Sequence, residues 1–506
     1  MPSIPKERGE DRKEHKVFRD FGGINTQPAR QAIKDTEFYW LENIMPIGFA
    51  NAKVVPAQTS TLATHSGTGY YYKAYNINGI SYIFVAVTSG ACYQVLASSP
   101  YTITTIAGAS TFSGTSTQIA QWKNDRILII DSNANGYRGW DGATLTTLSG
   151  TTSAPAGGTC ISTFSGRVWI SSGRTLYYSA PASYTDFTGA SAGGNTIITD
   201  ETLSSNINQL LSANNFLYFF GDDSINVIAD VRVSGSSTIY SNTNLTASIG
   251  SNYPYSTYAY YRAIWFANKS GIYSMYGATP KKVSDELDGI FTLIDFTKPF
   301  SAGSCYIYNI LCMAFSFTYN DPSLGARPIL AVYFSKKWFI STQGSTLKFV
   351  WTNNISGVDF LYGSDGTNIY QCFGNTTGTV SWKMITKLYD DGVPYQDKQV
   401  LKFGLEVVLP ASVSSLSATI DSERQTQAYT LASTSLATWI NNSGATVLWQ
   451  NNSSAIVNWL AGGYTWFRQD VSMVGHYYGV TITSSTPAFL IEGMMWQTEK
   501  RSLWGS

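Results

Sequence analysis

Short apolar runs recur along the middle of the chain, each followed by a turn and a second aromatic or apolar stretch. They read YIFVAV from Tyr82, RILIID from Arg126, RVWISS from Arg167, FLYFFG from Phe216, AIWFAN from Ala263, LAVYFS from Leu330 and DFLYGS from Asp359. Runs this short, rich in β-branched and aromatic residues and bounded by turn residues, read as strands. The first five begin 44, 41, 49 and 47 residues apart, a period that fits one four-stranded propeller blade per repeat. A single unit of that kind cannot bury its own apolar face, so the units must pack around a common axis. The last two are out of step: Leu330 lies 67 residues after Ala263 and Asp359 only 29 after Leu330. One of them therefore reads as half a blade. The pattern predicts an all-β chain with a β-propeller of six blades, seven being the alternative.

The flanks follow other patterns. Residues 1–60 read as a charged arm followed by a short helix, with Asp35 or Thr36 as N-cap before Phe38, Trp40 and Leu41. Residues 61–395 hold the repeats, with turns such as WDGA, DDSI and SDGT at their connections. Residues 396–506 carry longer alternating strands, KFGLEVVLP, YYGVTITS and PAFLIEGMMWQTEK, which predict a separate antiparallel sandwich. Within it, a Trp-rich insertion at 436–466 places Trp439, Trp449 and Trp459 ten residues apart. On one extended strand that even spacing would put all three indoles on one face. They read either as local core under a hairpin or as an aromatic docking surface for another subunit or a fibre.

Composition narrows the class. Of 506 residues, 43% are hydrophobic and 13% charged, well below the roughly 25% charged of an average domain. The polar surface must then be largely Ser, Thr, Asn and Gly. Thirty-three Lys and Arg balance thirty-three Asp and Glu, so the bulk basic signature of a phosphate-gripping protein is missing. The first sixteen residues are charged rather than apolar, and no stretch approaches the roughly 18 apolar residues of a membrane span. The expectation is a product made in a cytoplasm. Cys92, Cys160, Cys305, Cys312 and Cys372 are scattered without the paired spacing of a zinc site and read as free, buried thiols.

Catalytic chemistry has little material. His15, His65 and His476 are the only histidines and fall in three regions, which disfavours a histidine metal site or a Ser-His-Asp triad. DSNANG from Asp131 opens like a calcium loop, yet position twelve is Gly142 rather than a bidentate Glu. An Asx turn leaving the strand is the better reading. The neighbours Asp222 and Asp223, and Asp390 and Asp391, would point apart on a strand instead of flanking a sugar as glycosidase carboxylates do. The chain is expected to be no enzyme and to need no cofactor or metal.

Several strings resemble one family. DFGGINTQPARQAIKDTEFYWLENIMPIGFANAKVVPA, from Asp20 to Ala57, is similar to the N-terminal segment of tail tube and nozzle proteins of short-tailed bacteriophages. INQLLSANNFLYFFGDDSINVIAD, IWFANKSGIYSMYGATPKKVSDEL, the Trp decades and the closing FLIEGMMWQTEKRSLWG resemble the same group. The resemblance implies a virion tail component made in the host cytoplasm and assembled as a hexameric ring. Such a ring would lie below the portal and adaptor rings, carry fibres or spikes, and surround the path of double-stranded DNA, which it touches transiently. A neutral lumen suits that task, because a basic one would trap the polyanion. Head-to-tail ring contacts could be reinforced by the N-terminal arm with Lys6, Arg8, Arg12 and Lys13. The alternative is a receptor- or glycan-binding propeller of a tail spike or lectin, to which 33 Tyr, 25 Phe and 14 Trp could also contribute.

Overall fold

A computed structural model describes residues 13–47, 51–198, 203, 205–260, 262–343, 347–408, 415–432, 449–450, 456–457 and 464–501. The chain divides into two compact units, one of Gln58–Phe334 with Ser345–Cys372, the other of Met1–Ala57, Ser335–Gly344 and Phe373–Ser506. Among the described residues no helix is long and apolar enough to cross a membrane.

The first unit is a β-propeller. Blade 1 comprises Gly69–Ile77, Ile80–Val87, Cys92–Leu96 and Ile103–Ala107. Blades 2 to 5 repeat the four-stranded antiparallel meander from Gln118, Cys160, Gln209 and Tyr258. Blade 6 contributes Ser301–Ile307, Ile310–Asp321 and Gly325–Phe334. Blade 7 comprises Phe349–Ile355, Val358–Ser364 and Asn368–Gln371, and takes its outer strand from Ala63–Thr64, which precedes blade 1 in sequence.

Among the described residues there are thus seven blades, the alternative to the six that the sequence favoured. The second strands begin at Ile80, Arg126, Arg167, Phe216, Ala263, Ile310 and Val358, between 41 and 49 residues apart throughout. The apparent irregularity arose because LAVYFS is the third strand of blade 6. Its second strand, ILCMAFSFTYND, is the element in phase with the others. The second strands read as continuous apolar runs because both of their faces are covered by neighbouring blades. Phe84 and Ile127 share one inter-blade core, Leu128 and Val168 the next, Trp169 and Phe219 a third, and Phe220 and Phe266 a fourth.

Ring closure is made by hydrogen bonds and by stacking. Thr59, Leu62, His65 and Gly69 donate backbone N–H groups to the carbonyls of Gln371, Ile369, Thr367 and Gly366 at 2.7–3.1 Å. Tyr72 of blade 1 stacks on Trp351 of blade 7 with ring centroids 4.8 Å apart. Its hydroxyl accepts from Ser364 Oγ at 2.9 Å and meets His65 Nε2 at 2.9 Å.

The second unit contains two sheets. In one, the order is Ile44–Ile47, Asn51–Val54, Leu490–Lys500, Lys398–Val408 and Tyr464–Gly475, with Lys13–Phe18 also paired to Leu490–Lys500. In the other, Lys337–Ser341, Phe38–Glu42, Val380–Thr386, Gly479–Thr486, Ser415–Asp421 and Thr426–Ala432 lie side by side. Trp382 packs edge-on against Phe489, and Tyr478 against Trp496. The sandwich predicted for residues 396–506 therefore also recruits the N-terminal flank and Val380–Thr386, and both predicted boundaries move. The predicted helix at 35–44 is absent: Phe38–Glu42 is a strand held between Lys337–Ser341 and Val380–Thr386. Its aromatic content favours a strand buried on both faces, and that packing outweighs the capping signal.

Asn43 ends that strand in the left-handed region (φ 58°) and is wholly buried. Its Nδ2 donates to Thr342 Oγ1 at 2.9 Å and to Ser381 O at 2.6 Å, while its Oδ1 accepts from Ser341 Oγ at 2.7 Å and Thr342 N at 3.1 Å. Every hydrogen-bonding position of the amide is used, and Asn is among the few residues that tolerate this backbone conformation. Asn43→Ala is expected to cost roughly 3 kcal/mol, because it strands buried donors and strains φ. Urea unfolding midpoints would check this, and a loss under about 1 kcal/mol would contradict it.

His65 is buried, and desolvation lowers its pKa below 6.5. The unfolded chain then binds the extra proton first, so stability is intact above pH 6.5 and declines as pH falls toward the folded-state pKa. Thermal melts between neutral pH and about pH 5 should show this slope, and His65→Asn should flatten it.

Candidate functional site in the propeller axis

Inner strands of all seven blades surround an axial cavity of about 590 Å³, within the ~300–1,000 Å³ range of small-molecule pockets. Alternation along the inner strands sends successive side chains to the cores on either side of a blade, and the strands' axial side forms the wall. Along GYYYKAYNI, Tyr71, Lys73, Ala74 and Tyr75 line the cavity, Tyr71 and Tyr75 also belonging to the core shared with blade 2 and Tyr72 to the closure core with Trp351. Tyr71 and Tyr255 meet with centroids 5.0 Å apart. Tyr255 also lines a separate recess of about 560 Å³ with Tyr253, Phe300 and Phe349, so this pair stands between recess and cavity.

Lys73 carries the only ammonium or carboxylate charge among the described lining residues. It is open to water within the channel but surrounded by protein, and this desolvation pulls its pKa down to about 8. Its Nζ donates to Ile119 O at 3.0 Å, and no carboxylate offsets its charge. Burial pushes the hydroxyl pKa values of Tyr71, Tyr255 and Tyr258 upward, so these rings stay neutral. Tyr258 Oη lies 3.0 Å from Ser304 Oγ, which donates to Asp359 at 2.8 Å. Three of the lining residues carry a buried, unpartnered polar atom: Gln209 Oε1, Thr257 Oγ1 and Trp351 Nε1.

The residues singled out in the sequence do not converge here. Trp439 and Trp459 lie outside the described residues. Trp449 opens the strand Trp449–Gln450, whose backbone pairs with Ile456–Val457. Lys6, Arg8 and Arg12 also lie outside the described residues. Lys13 begins a strand in register with Glu499 of the same chain, and Lys16 pairs with the buried Asp391. From Lys13 onward, then, the supposed intersubunit arm is part of the chain's own sandwich.

The acidic residues have structural partners. Asp131 is fully buried and accepts from Ser113 N and Oγ, Thr117 Oγ1 and Asn133 N at 2.7–3.0 Å. The last contact is the expected Asx turn. Asp390 caps a turn through Gly392 N, whereas Asp391 accepts from Tyr478 Oη and Thr498 Oγ1. Among the described residues no group of three or more His, Cys, Asp or Glu side chains is arranged to hold a metal. All five cysteines are buried and unpaired.

Sequence reasoning overlooked the axial residues because the inner strands are mixed in polarity. A signal was present in Lys73, the single charge within an aromatic strand.

No family model and no curated protein matches the chain. Among solved structures, the extracellular domain of the one component system BT4673 from B. thetaiotaomicron is similar at 8% identity and a TM-score of 0.42, over 64% of this chain and 41% of that one. YCF48 bound to D1 peptide is similar at 10% identity and 0.40, over 63% and 99% of the two chains. BBS1N in complex with ARL6DN follows at 7% and 0.38, over 63% and 97%. This chain spans less than half of the first of these, and similarity at this level carries no functional argument.

Because its charged form is penalised without compensation, Lys73 should react with an amine-acylating reagent half-maximally near pH 8, well below the 10.5 of a solvated lysine. Peptide mass spectrometry across pH would measure this, and a half-point near 10.5 would refute the channel environment described.

Proposed function

We propose that the chain is a structural component of a short-tailed bacteriophage tail, in the virion, forming a hexameric nozzle ring through which double-stranded DNA is retained and ejected. The observation that carries this reading is that residues bearing the family resemblance are also those on which the sandwich depends. A Cβ on Gly22 would lie 2.8 Å from Thr36 O, and one on Gly23 would lie 2.9 Å from Trp338 N. The Gly-Gly motif is thus a requirement of close backbone approach, and Asn43 of the same segment makes the bonds described above. A family pattern that includes such constrained positions is what a shared scaffold leaves in a diverged sequence.

Two further features fit a docking platform. The blades are not equivalent at their margins: blade 4 ends in the long strands Ile225–Ser234 and Ser237–Thr246, with Val233 and Ile239 exposed, and blade 6 has a long hairpin with Leu324 exposed. Such features suit attachment of fibres or spikes. Turn acids recur as caps, as in Asp141 to Ala143 N and Thr144 N and Asp365 to Thr367 N and Asn368 N. The repetition is of scaffold rather than of a binding site. The axial cavity, interrupted by Tyr71 and Tyr255, is far too small for a duplex, so in this reading the DNA passes between copies of the chain, on the side of the adaptor and portal-side ring.

The second reading, a receptor- or glycan-binding propeller, is favoured by one observation, the aromatic and amide lining of the axial cavity.

Negative-stain electron microscopy with light-scattering mass tests the first reading. Six-fold rings with an opening wide enough for duplex DNA are expected, alone or on the adaptor ring, and a monomer under both conditions would sink the proposal. Deleting residues 1–12 leaves the strand from Lys13 in place and should weaken the ring. An unchanged ring would remove Lys6, Arg8 and Arg12 from the interface.

A further inference from the structure

We infer that the axial cavity of the propeller binds a small hydroxylated organic anion of the sugar-acid class, held by Lys73 and by the unpartnered polar atoms of Gln209, Thr257 and Trp351. The cavity lies within a single subunit, so the inference stands apart from ring assembly.

Four features of the wall converge on that ligand chemistry. The first is charge. Lys73 is the sole ammonium, no carboxylate lines the cavity among the described residues, and a single protein acceptor, Ile119 O, meets a group with three donors. Lys73 is open to water inside the cavity, so an entering anion can reach its ammonium, and such a ligand supplies the counter-charge that the wall lacks. The second is the set of unsatisfied atoms. Buried polar atoms almost always have partners, yet Gln209 Oε1 offers an acceptor, Trp351 Nε1 a donor, and Thr257 Oγ1, in a residue 9% exposed, either role. Hydroxyl groups both donate and accept, so a polyol matches this mixture, whereas a bare inorganic anion would leave Gln209 Oε1 facing negative charge.

The third feature is shape. Tyr71, Tyr255 and Tyr258 present rings to a space of about 590 Å³, and aromatic faces pack well on the C–H faces of a sugar ring. The fourth is that Asp359, linked to the wall through Ser304 and Tyr258, is already bonded to Ser304 Oγ and Asn354 Nδ2. It is not available to neutralise Lys73.

The test uses the full chain with D-glucuronate as probe, and D-glucose and inorganic phosphate as comparisons, followed by calorimetry and saturation-transfer NMR. Glucuronate should bind, with glucose and phosphate each at least about tenfold weaker, a gap of about 1.4 kcal/mol. Lys73→Met should weaken glucuronate at least about tenfold, and Thr257→Val by a smaller factor, with circular dichroism confirming the fold of each. Wild-type affinity should fall as pH rises through about 8, where Lys73 loses its proton. Absence of glucuronate binding at about 10 mM would overturn the inference. So would equal affinity for glucose or phosphate, or binding indifferent to Lys73→Met in a folded variant. If that variant does not fold, wild-type affinity unchanged between about pH 6.5 and 9.5 overturns it equally.

Discussion

Everything in the propeller depends on closing a ring of seven. Seven wedge-shaped sheets each leave an apolar face that only the next sheet can cover, and the last face can be covered only by the first. In this chain the joint is made by Ala63–Thr64 adding to Asn368–Gln371, so residues from both ends of the unit share one sheet. The joint is reinforced where it is driest: Tyr72, Trp351, Ile83 and Ile369 belong to one core. The hydroxyl of Tyr72 is satisfied by Ser364 and His65. Each fully buried aliphatic or aromatic side chain there contributes about 1.5–3 kcal/mol, which makes stacking across the seam the larger part of its stability and the hydrogen bonds the part that sets register.

Closure has a geometric consequence for the flanks. The chain enters the propeller at Ala63–Thr64 and leaves it after Asn368–Gln371, two strands that pair, and described strands from before and after the propeller in sequence share one sandwich. The sandwich is correspondingly interwoven, with the strand from Phe38 lying between strands that begin at Lys337 and Val380. Where three such remote segments meet, the fully bonded amide of Asn43 specifies their arrangement more stringently than apolar packing would. The same closure creates the axial cavity. Alternation along the inner strands sends side chains to the cores on either side of a blade, and some of the same residues also line the axis.

Much of the propeller was legible because its second strands are covered on both faces. Such strands must be apolar throughout, and RILIID, FLYFFG and AIWFAN announce themselves. LAVYFS is equally apolar yet sits one strand later in blade 6, since nothing in its composition distinguishes a second strand from a third. Spacing measured from ILCMAFSFTYND would have restored the period. The segment DTEFYWLENI misled for a different reason: its local capping residues favour a helix, while its real environment is a slot between two strands contributed by segments about 300 and 340 residues away. The candidate site was less legible still. Gln209, Thr257 and Trp351 belong to three different blades, and only the ring brings them to one wall.

By itself, the sequence determined that the chain is all-β, repeats with a period in the forties and keeps its thiols buried, because these follow from local pattern and from the cost of exposing apolar surface. Tertiary structure alone decided the number of blades, the weaving of both flanks into one sandwich and the gathering of one lysine and three unpartnered polar atoms around an axis. Those outcomes depend on which distant strands become neighbours, and hydrophobic periodicity records that a face must be covered without recording which segment covers it.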